Sequence, residues 1–585
     1  MKRVIINNRD YSSWSLLDVN MNIPTGKSQM DFQFSSSECQ ENEINIIQKK
    51  WFHQDIIDET NTMVHSTIRS LQYIPGVLIL EGNKTYGRTS NRKRLLYKCV
   101  PNDKHIPHFL IPFEINIGFK KVHKNKYVIF KFQEWNETQQ HPIGILIETI
   151  GNVDNLECFY EYQLYSKSLH DSIKNITNIT KEITNKTPIE DFIKQIQHNP
   201  KYNIQNRLEN TSPIFTIDPL NSVDFDDGFS IKDNVITVYL ANVYFWLETF
   251  ELWNSFSNRV STIYLPDKRR PMLPTILSDS LCSLQQGQSR FAFAIDFTIS
   301  ESREGIVFID EPKTTMQNVI IRPHKNYVYE DPKMIYQDIH YNKLFQVSSR
   351  IDNNTIKNSH DLVSFWMIQT NKYIAEYMMK QQIGIFRVGK MMSSFQEEKQ
   401  LYHLKEDTQR LIQSWNNMVG QYVVYNQEDT AQFEHCILKT KSYMHITSPI
   451  RRLVDLLNQM MIIGNLCPIS LSNSALEFID KWCCRIDYIN TTSRAIRKIQ
   501  TDCYSLHLCV NSPNIMNQIH QGIVFDKSEN SMGGVFSYMV YLENIKLLTR
   551  IKSTICVENY SIHNFKIFLF EKEDNTKKKM RVAFA

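Results

Sequence analysis

The sequence predicts an α+β multidomain protein in which small antiparallel β-barrels flank a larger mixed α/β unit. Three observations carry that reading. Between residues 73 and 151, short runs rich in Val, Ile, Phe and Tyr are broken at Gly, Asn and Pro, as in small barrels. From 214 to 322 strand-like runs surround a helical stretch, and from 359 helical spacing takes over. After 519 the pattern returns to β-like runs. At 585 residues the chain is long enough for roughly four domains of average size.

Composition places the chain among soluble globular proteins, with 42% hydrophobic and 22% charged residues. The formal charge of +4 does not by itself mark a nucleic-acid binder, although a local basic channel can sit inside a balanced total. The 11 cysteines form no CxxC pair, and the adjacent Cys483 and Cys484 suit neither a zinc knuckle nor a redox motif, so reduced thiols in an intracellular protein are expected. The amino terminus has no apolar segment, which argues against a secretory signal. The most apolar long stretch, 453–466, is interrupted by Asp455, Asn458 and Gln459 and is too short to span a bilayer. A soluble, cytoplasmic protein with no membrane partner is expected.

In chain order, residues 1–65 are polar and weakly patterned, with a helix expected over 43–65. In the first barrel region basic and aromatic residues interleave: Lys84, Arg88, Arg92, Lys93, Arg94 and Tyr97, then Lys120, Lys121, Lys124, Lys126 and Tyr127. Such faces suit single-stranded nucleic acid, and equally they could only solubilise a barrel. Residues 169–199 read as helix and linker; a strand is expected over 235–243, a helix over 244–260, and another over 359–382 capped by Ser359.

The stretch 215–228, FTIDPLNSVDFDDG, places Asp218, Asp224, Asp226 and Asp227 within ten residues, between β-prone flanks. Carboxylates crowded this way raise one another's pKa and need compensating cations. All-oxygen ligation suits Mg²⁺, with Mn²⁺ as an alternative, a pairing used in phosphodiester cleavage. A calcium loop of the EF-hand type is excluded, because counting from Asp224 puts Gly228 fifth and Val235 twelfth. Spacing alone leaves a solvated acidic turn equally open. Downstream, 445–464 reads HITSPIRRLVDLLNQMMIIG, with Ser448 or Thr447 as N-cap and Pro449, Arg451 and Arg452 in the first helical turn. Two arginines beside free amide groups would clamp a phosphate. The competing reading is a plain ion pair from Arg451 to Asp455, one turn on.

Taken together, 215–228, the block IYLPDKRRPMLPTILSDSLCSL at 263–284 and HITSPIRRLVDLLN at 445–458 resemble the ribonuclease II family, whose catalytic unit is the RNB domain. VPNDKHIP and HPIGILIETIGNVDNLE resemble the second cold-shock-type barrel of its eukaryotic members. The resemblance implies OB-type (cold-shock-like) β-barrels flanking a mixed α/β RNB catalytic domain. It divides the chain into a poorly defined 1–65, a partial first cold-shock-like barrel at 66–100, a second OB barrel at 101–185, the RNB domain at 200–470 and a degenerate OB-type RNA-binding domain at 515–585. It also implies a monomeric, processive 3′→5′ exoribonuclease that hydrolyses single-stranded RNA to nucleoside 5′-monophosphates. Carried over, Asp218, Asp224, Asp226 and Asp227 would hold Mg²⁺. Asp226 would be the carboxylate most needed for chemistry, Arg451 would stabilise the phosphate, and Tyr264, Tyr329, Arg387 and Arg452 would contact RNA.

Departures from the family pattern are Asn242 in place of an aspartate, a compressed 330–358, Ser364-Phe365 in place of an acidic pair, and Gln459-Met460 in place of histidine-arginine. No arginine-glycine-alanine-leucine strand is found, and no PIN-type nuclease domain is expected ahead of the barrels. The alternative is an RNA-binding or scaffold protein derived from such an enzyme and no longer catalytic.

Overall fold

The computed structural model describes residues 1–18, 45–89, 93–115, 123–209, 212–389, 404–405, 408–409, 411–412, 420–426, 440–467, 471–529 and 534–585. Arg92, Lys120 and Lys121 lie outside the described residues. Two compact units emerge. One is Met1–His170 with Leu265–Asp267 and Lys498–Ala585; the other is Asp171–Tyr264 with Lys268–Arg497.

In the first unit, β1 (Lys2–Ile6), β2 (Trp14–Asp18), β3 (Ile56–Ile57) and β4 (Met63–His65) make a sheet in the order β2-β1-β3-β4. The helix expected over 43–65 shrinks to Ile46–Lys49. Asn45 caps it, but Lys50 turns left-handed at φ 57° and ends it after one turn, freeing the next residues to pair with β1. Next, β5 (Ile74–Leu78), β6 (Leu95–Pro101), β7 (Phe109–Phe113), β8 (Lys126–Glu134) and β9 (Ile143–Asn152) close a barrel in the order β5-β6-β7-β9-β8. The expected division between residues 100 and 101 therefore falls inside β6: β5 pairs with both β6 and β8, so the two halves close only together. Phe52, Ile74, Cys99, Phe109 and Phe130 share one core with Val4 and Ile6 of the first sheet.

The second unit is built on a mixed sheet. Its strands are β10 (Gln205–Asn206), β11 (Phe215–Asp218), β12 (Asp227–Lys232), β13 (Val235–Ala241), and, beyond the short hairpin β14 (Ile263–Tyr264) and β15 (Arg269–Arg270), β16 (Arg290–Glu301), β17 (Val307–Ile309), β18 (Thr315–Ile321) and β19 (Lys325–Val328). The order is β10-β18-β16-β13-β12-β11-β19, with β17 on the end of β16. The run VITVYLA of β13 is buried from Ile236 to Ala241, as a strand covered on both faces requires. The helix expected over 244–260 stops at Thr249 and resumes as a 3₁₀ turn, Trp253–Ser255. The compressed 330–358 holds two helices, Pro332–Gln337 and Ile339–Ile351. Helix Ser359–Lys380 follows, then the pair β20 (Ile385–Val388) and β21 (Gln421–Val424), and helices Leu453–Leu466, Asn473–Cys483 and Ile486–Asn511. The first unit is completed by β22 (His520–Glu529), β23 (Phe536–Leu542), β24 (Leu547–Ser553), β25 (Ile562–Glu571) and β26 (Lys578–Phe584), in the order β24-β23-β22-β25-β26.

Candidate active site

All four aspartates of the acidic stretch lie at one end of the central sheet of the second unit. Asp218 ends β11 and Asp227 begins β12; Asp224 and Asp226 sit in the loop between them. The loop is tied at both sides: Ala241 N–H donates to the Asp226 carbonyl (2.7 Å) and Tyr329 N–H to the Asp218 carbonyl (3.0 Å).

Asp226 is 1% exposed. Its Oδ1 accepts from Ile450 N–H at 2.9 Å, and its Oδ2 lies 3.1 Å from Arg451 Nε. These two contacts join the acidic stretch to the Thr-Ser-Pro-Ile-Arg segment 224 residues downstream. Burial pushes the Asp226 carboxyl up to about 8, against the pull of Arg451 and the Ile450 amide. Burial likewise raises Asp218 and Asp227, with the charge of Asp226 adding to Asp218 and that of Asp218 adding to Asp227.

The expected helix start moves. Helix Leu453–Leu466 begins after Arg452, whose φ of −133° is extended. Thr262 N–H donates to the Arg451 carbonyl and Leu453 N–H to the Val260 carbonyl, both at 2.9 Å, so residues 451–453 are drawn into strand-like pairing with 260–262. Arg451 and Arg452 therefore precede the helix, and Ser448 caps nothing there: its Oγ accepts from the guanidinium groups of both arginines (3.0 and 3.1 Å). The ion pair to Asp455 is made by Arg452 at 2.8 Å, leaving Arg451 to Asp226. The Arg451 side chain is 44% exposed, so much of its fork still faces solvent.

The four aspartates do not converge as one cage. Asp224 is held by Arg269 Nη1 at 3.0 Å and by the Tyr264 hydroxyl at 3.3 Å. Tyr264 and Arg269 are directly opposed across the β14–β15 hairpin, and Arg269 also pairs with Asp279 of the π-helical Ile276–Leu281. Among the described residues no group of three or more His, Cys, Asp or Glu side chains is arranged to hold a metal ion. What fits a cation is narrower: Asp218 Oδ2 is buried with no hydrogen-bond partner, and the Asp218 charge adds to the rise that burial imposes on Asp227. Mg²⁺ is commonly held by one or two carboxylates with substrate phosphate and water completing the shell.

Of the expected RNA contacts, Tyr264 is half-exposed beside the carboxylates. Tyr329 is near Asp218 and Asp227, but its ring is stacked on His360 at 3.7 Å. Arg387 is buried over the Tyr422 ring, and Arg452 is engaged by Asp455 and Ser448. The sequence reading assigned no role to Arg269, Asp279 or the Ile450 amide. The first two lie inside a block already singled out, but only the hairpin register shows that Arg269 faces Tyr264.

A family model described as "RNB domain" matches residues 205–344 and 338–466, and one described as "Dis3-like cold-shock domain 2 (CSD2)" matches 96–161. Residues 205–466 are an RNB domain. The chain's relatives include DIS3-like exonuclease 2 of Schizosaccharomyces pombe, 28% identical over 224 residues, which is 35% of this chain and 23% of the relative. Ribonuclease R of Chlamydia muridarum is 23% identical over 444 residues, 64% of this chain and 61% of the relative. The chain thus spans less than two thirds of either relative. In fold it is similar to Mycoplasma genitalium RNase R in complex with double-stranded RNA (TM-score 0.61, 15% identity, 90% of this chain and 99% of that one). It is also similar to yeast Ssd1, a pseudonuclease (TM-score 0.55, 16% identity, 84% and 66%). Among the described residues no helix is long and apolar enough to cross a membrane.

The RNB departures now have places. Asn242 is buried and accepts from Phe245 N–H, starting the helix Tyr244–Thr249. Gln459 is buried too: its Nε2 donates to the Ala241 carbonyl (2.8 Å) and its Oε1 accepts from Val243 N–H (3.1 Å). Gln459 thereby braces the Ala241 backbone, whose N–H donates to the Asp226 carbonyl.

Proposed function

We propose that this chain is a 3′→5′ exoribonuclease that acts processively on single-stranded RNA, uses Mg²⁺ and releases nucleoside 5′-monophosphates. The observation that supports it most is the join of buried Asp226 to a half-exposed Arg451, beside the carboxylates of Asp218 and Asp227 that burial raises. Its relatives with exonuclease and ribonuclease names point the same way.

In this reading Asp218 and Asp227 hold the cation together with the scissile phosphate. When bound, it neutralises the phosphate oxygens and polarises phosphorus. Arg451 presents its open N–H groups to the same phosphate, where developing charge is worth roughly 3 kcal/mol of transition-state stabilisation. Asp226 orients both Arg451 and, through its remaining acceptor capacity, the attacking water. Water adds to phosphorus as the bond to the O3′ of the preceding nucleotide breaks; that oxygen takes a proton, and the terminal nucleotide leaves as a 5′-monophosphate. Tyr264, fixed through Asp224, stacks on the terminal base. A monomer in the cytoplasm is part of the same proposal.

The test is a 5′-labelled single-stranded RNA incubated with Mg²⁺ and either the parent chain or Asp226→Asn. Stepwise shortening from the 3′ end by the parent alone is expected. Tight binding without product in both would instead favour a non-catalytic RNA-binding protein, and a 2′-deoxy substrate separates RNA from DNA specificity.

A further inference from the structure

The outer half of the acidic loop stands in solvent, with Leu220 76% and Val223 40% exposed. The carboxylates that the loop carries must therefore be fixed from inside the unit. The anchor is Ser283, a fully buried residue to which the cleavage reading gives no role. Its Oγ accepts from Phe225 N–H at 3.0 Å and donates to the Val223 carbonyl at 2.8 Å. These groups belong to the two peptide links that flank Asp224, so one hydroxyl brackets that residue. Leu284 N–H adds a bond to the Phe225 carbonyl at 3.0 Å, immediately before Asp226.

Ser283 is itself held from behind. Its carbonyl accepts from Nε of the buried Arg290 at 2.8 Å, and the other nitrogens of that guanidinium donate to the Ser289 carbonyl and to Gln285 Oε1. The Leu284 carbonyl accepts from Asn326 Nδ2 of β19 at 3.0 Å, and Asn326 Oδ1 accepts from Gln286 N–H at 2.8 Å. The same Asn326 amide donates to Thr216 Oγ1 at 2.9 Å, and the Thr216 hydroxyl bonds the Asp218 side chain. Both ends of the acidic stretch are thus referred to one backbone step. Asp218 reaches Leu284 through Thr216 and Asn326, while Asp224 and Asp226 reach the same step through Ser283 and Leu284. A hydroxyl that only satisfied two peptide groups would matter to stability alone; the second chain, to Asp218, ties Ser283 to the spacing of the carboxylates.

We propose that Ser283 is a positioning residue that sets the cation preference of the carboxylate site, favouring a small divalent ion such as Mg²⁺ or Mn²⁺ over Ca²⁺. Mg²⁺ demands near-octahedral oxygens at about 2.1 Å, whereas Ca²⁺ takes more oxygens at about 2.4 Å in looser geometry. Carboxylates that cannot move apart penalise the larger ion. Asp218 is held through Thr216 and Asn326, and Asp227 follows directly on the loop that Ser283 anchors, so their separation is fixed from both sides. The proposal rests on the reading that Asp218 and Asp227 hold a cation with a phosphate, and adds which ion they select and which residue enforces the choice.

The experiment follows Mn²⁺ bound to the full chain by electron paramagnetic resonance, with dimethyl phosphate as a stand-in for the scissile diester, and displaces it with Mg²⁺ or with Ca²⁺. In the parent Mg²⁺ should displace it at a much lower concentration than Ca²⁺. In Ser283→Ala the ratio of the two displacing concentrations should fall about tenfold, while Ser283→Thr, which keeps the hydroxyl, should hold the parent ratio. An unchanged ratio in Ser283→Ala, or equal weakening of both ions, would overturn the proposal and leave Ser283 a structural role only. So would a fall in Ser283→Thr equal to that in Ser283→Ala at a parent-like melting temperature. Should Ser283→Ala fail to fold, Asn326→Ala cuts the same chain nearer Asp218 and is read against the same ratio. A parent chain that binds no Mn²⁺ sinks the cation reading itself, and this proposal with it, a result distinct from an unchanged ratio.

Discussion

Asp226 concentrates the electrostatic tension of the site. Burial lifts its carboxyl to about 8, well above the ordinary carboxylate value of 3.8, so between those limits the folded state holds a proton that the unfolded chain has lost. Stability should therefore fall as pH rises from about 4 to about 8 and level off above. Asp226→Asn removes that slope, and in thermal melts without divalent cation it should be the more stable protein at pH 8 to 9; a melting temperature that falls in parallel with the parent's from pH 4 to 8 would refute the assignment. Ionisation must also precede cation binding, so the Mg²⁺ concentration giving half-maximal activity should drop as pH climbs from about 6 to about 8. Arg451→Ala should slow cleavage about 10²-fold with RNA affinity largely kept, read as kcat against KM. At this scale the acidic residues and Arg451 were legible because charged residues crowd in sequence before they crowd in space. The destinations of Arg451 and Arg452 were not: one pairs with a residue 225 positions earlier and the other with a residue three positions later, and only the strand-like pairing of 451–453 decides which does which.

Elements, rather than single side chains, hold this site in register. Helix Leu453–Leu466 reaches the acidic loop through Gln459, whose amide bridges the Ala241 carbonyl and the Val243 amide, and Ala241 N–H in turn holds the Asp226 carbonyl. Gln459→Met keeps the volume and orphans two buried backbone groups, a loss of about 2 kcal/mol measurable by urea denaturation; full stability would show that water replaces the amide. The β14–β15 hairpin is the other brace. Arg269→Ala frees Asp224 and Tyr264 while leaving Asp226 and Arg451 in place, so KM for RNA should rise severalfold with a smaller effect on kcat; a reversed split would assign Arg269 to the chemistry. The long apolar strands and the helix Ser359–Lys380 could be read from periodicity. The helices expected over 43–65 and 244–260 could not, because a left-handed Lys50 and the break after Thr249 are local backbone choices that composition does not encode.

At the scale of the whole molecule, two compact units divide the chain in a way no linear reading could show, since the first gathers both ends of the sequence. Motif spacing located the RNB stretch and the β-rich flanks. It could not show that 66–100 and 101–152 close one barrel, which depends on β5 pairing at once with β6 and β8. The division has a thermodynamic consequence. Asp218, Asp226, Asp227 and Arg451 all belong to the unit Asp171–Tyr264 with Lys268–Arg497, so a divalent cation that binds there acts on that unit, with a stabilisation of about 2.7 kcal/mol at a hundred times its Kd. Gly76 offers a handle on the other unit. A Cβ at this position would lie 2.9 Å from Cys99 Sγ and 3.0 Å from both Phe130 and the Val100 carbonyl, closer than the barrel can yield. In scanning calorimetry Gly76→Val should therefore lower the transition of the first unit, while added Mg²⁺ still raises the transition of the second by the same amount as in the parent chain. A single transition, lowered by Gly76→Val and raised by Mg²⁺ as a whole, would mean that the units unfold together and that the barrel contributes to the stability of the carboxylate site.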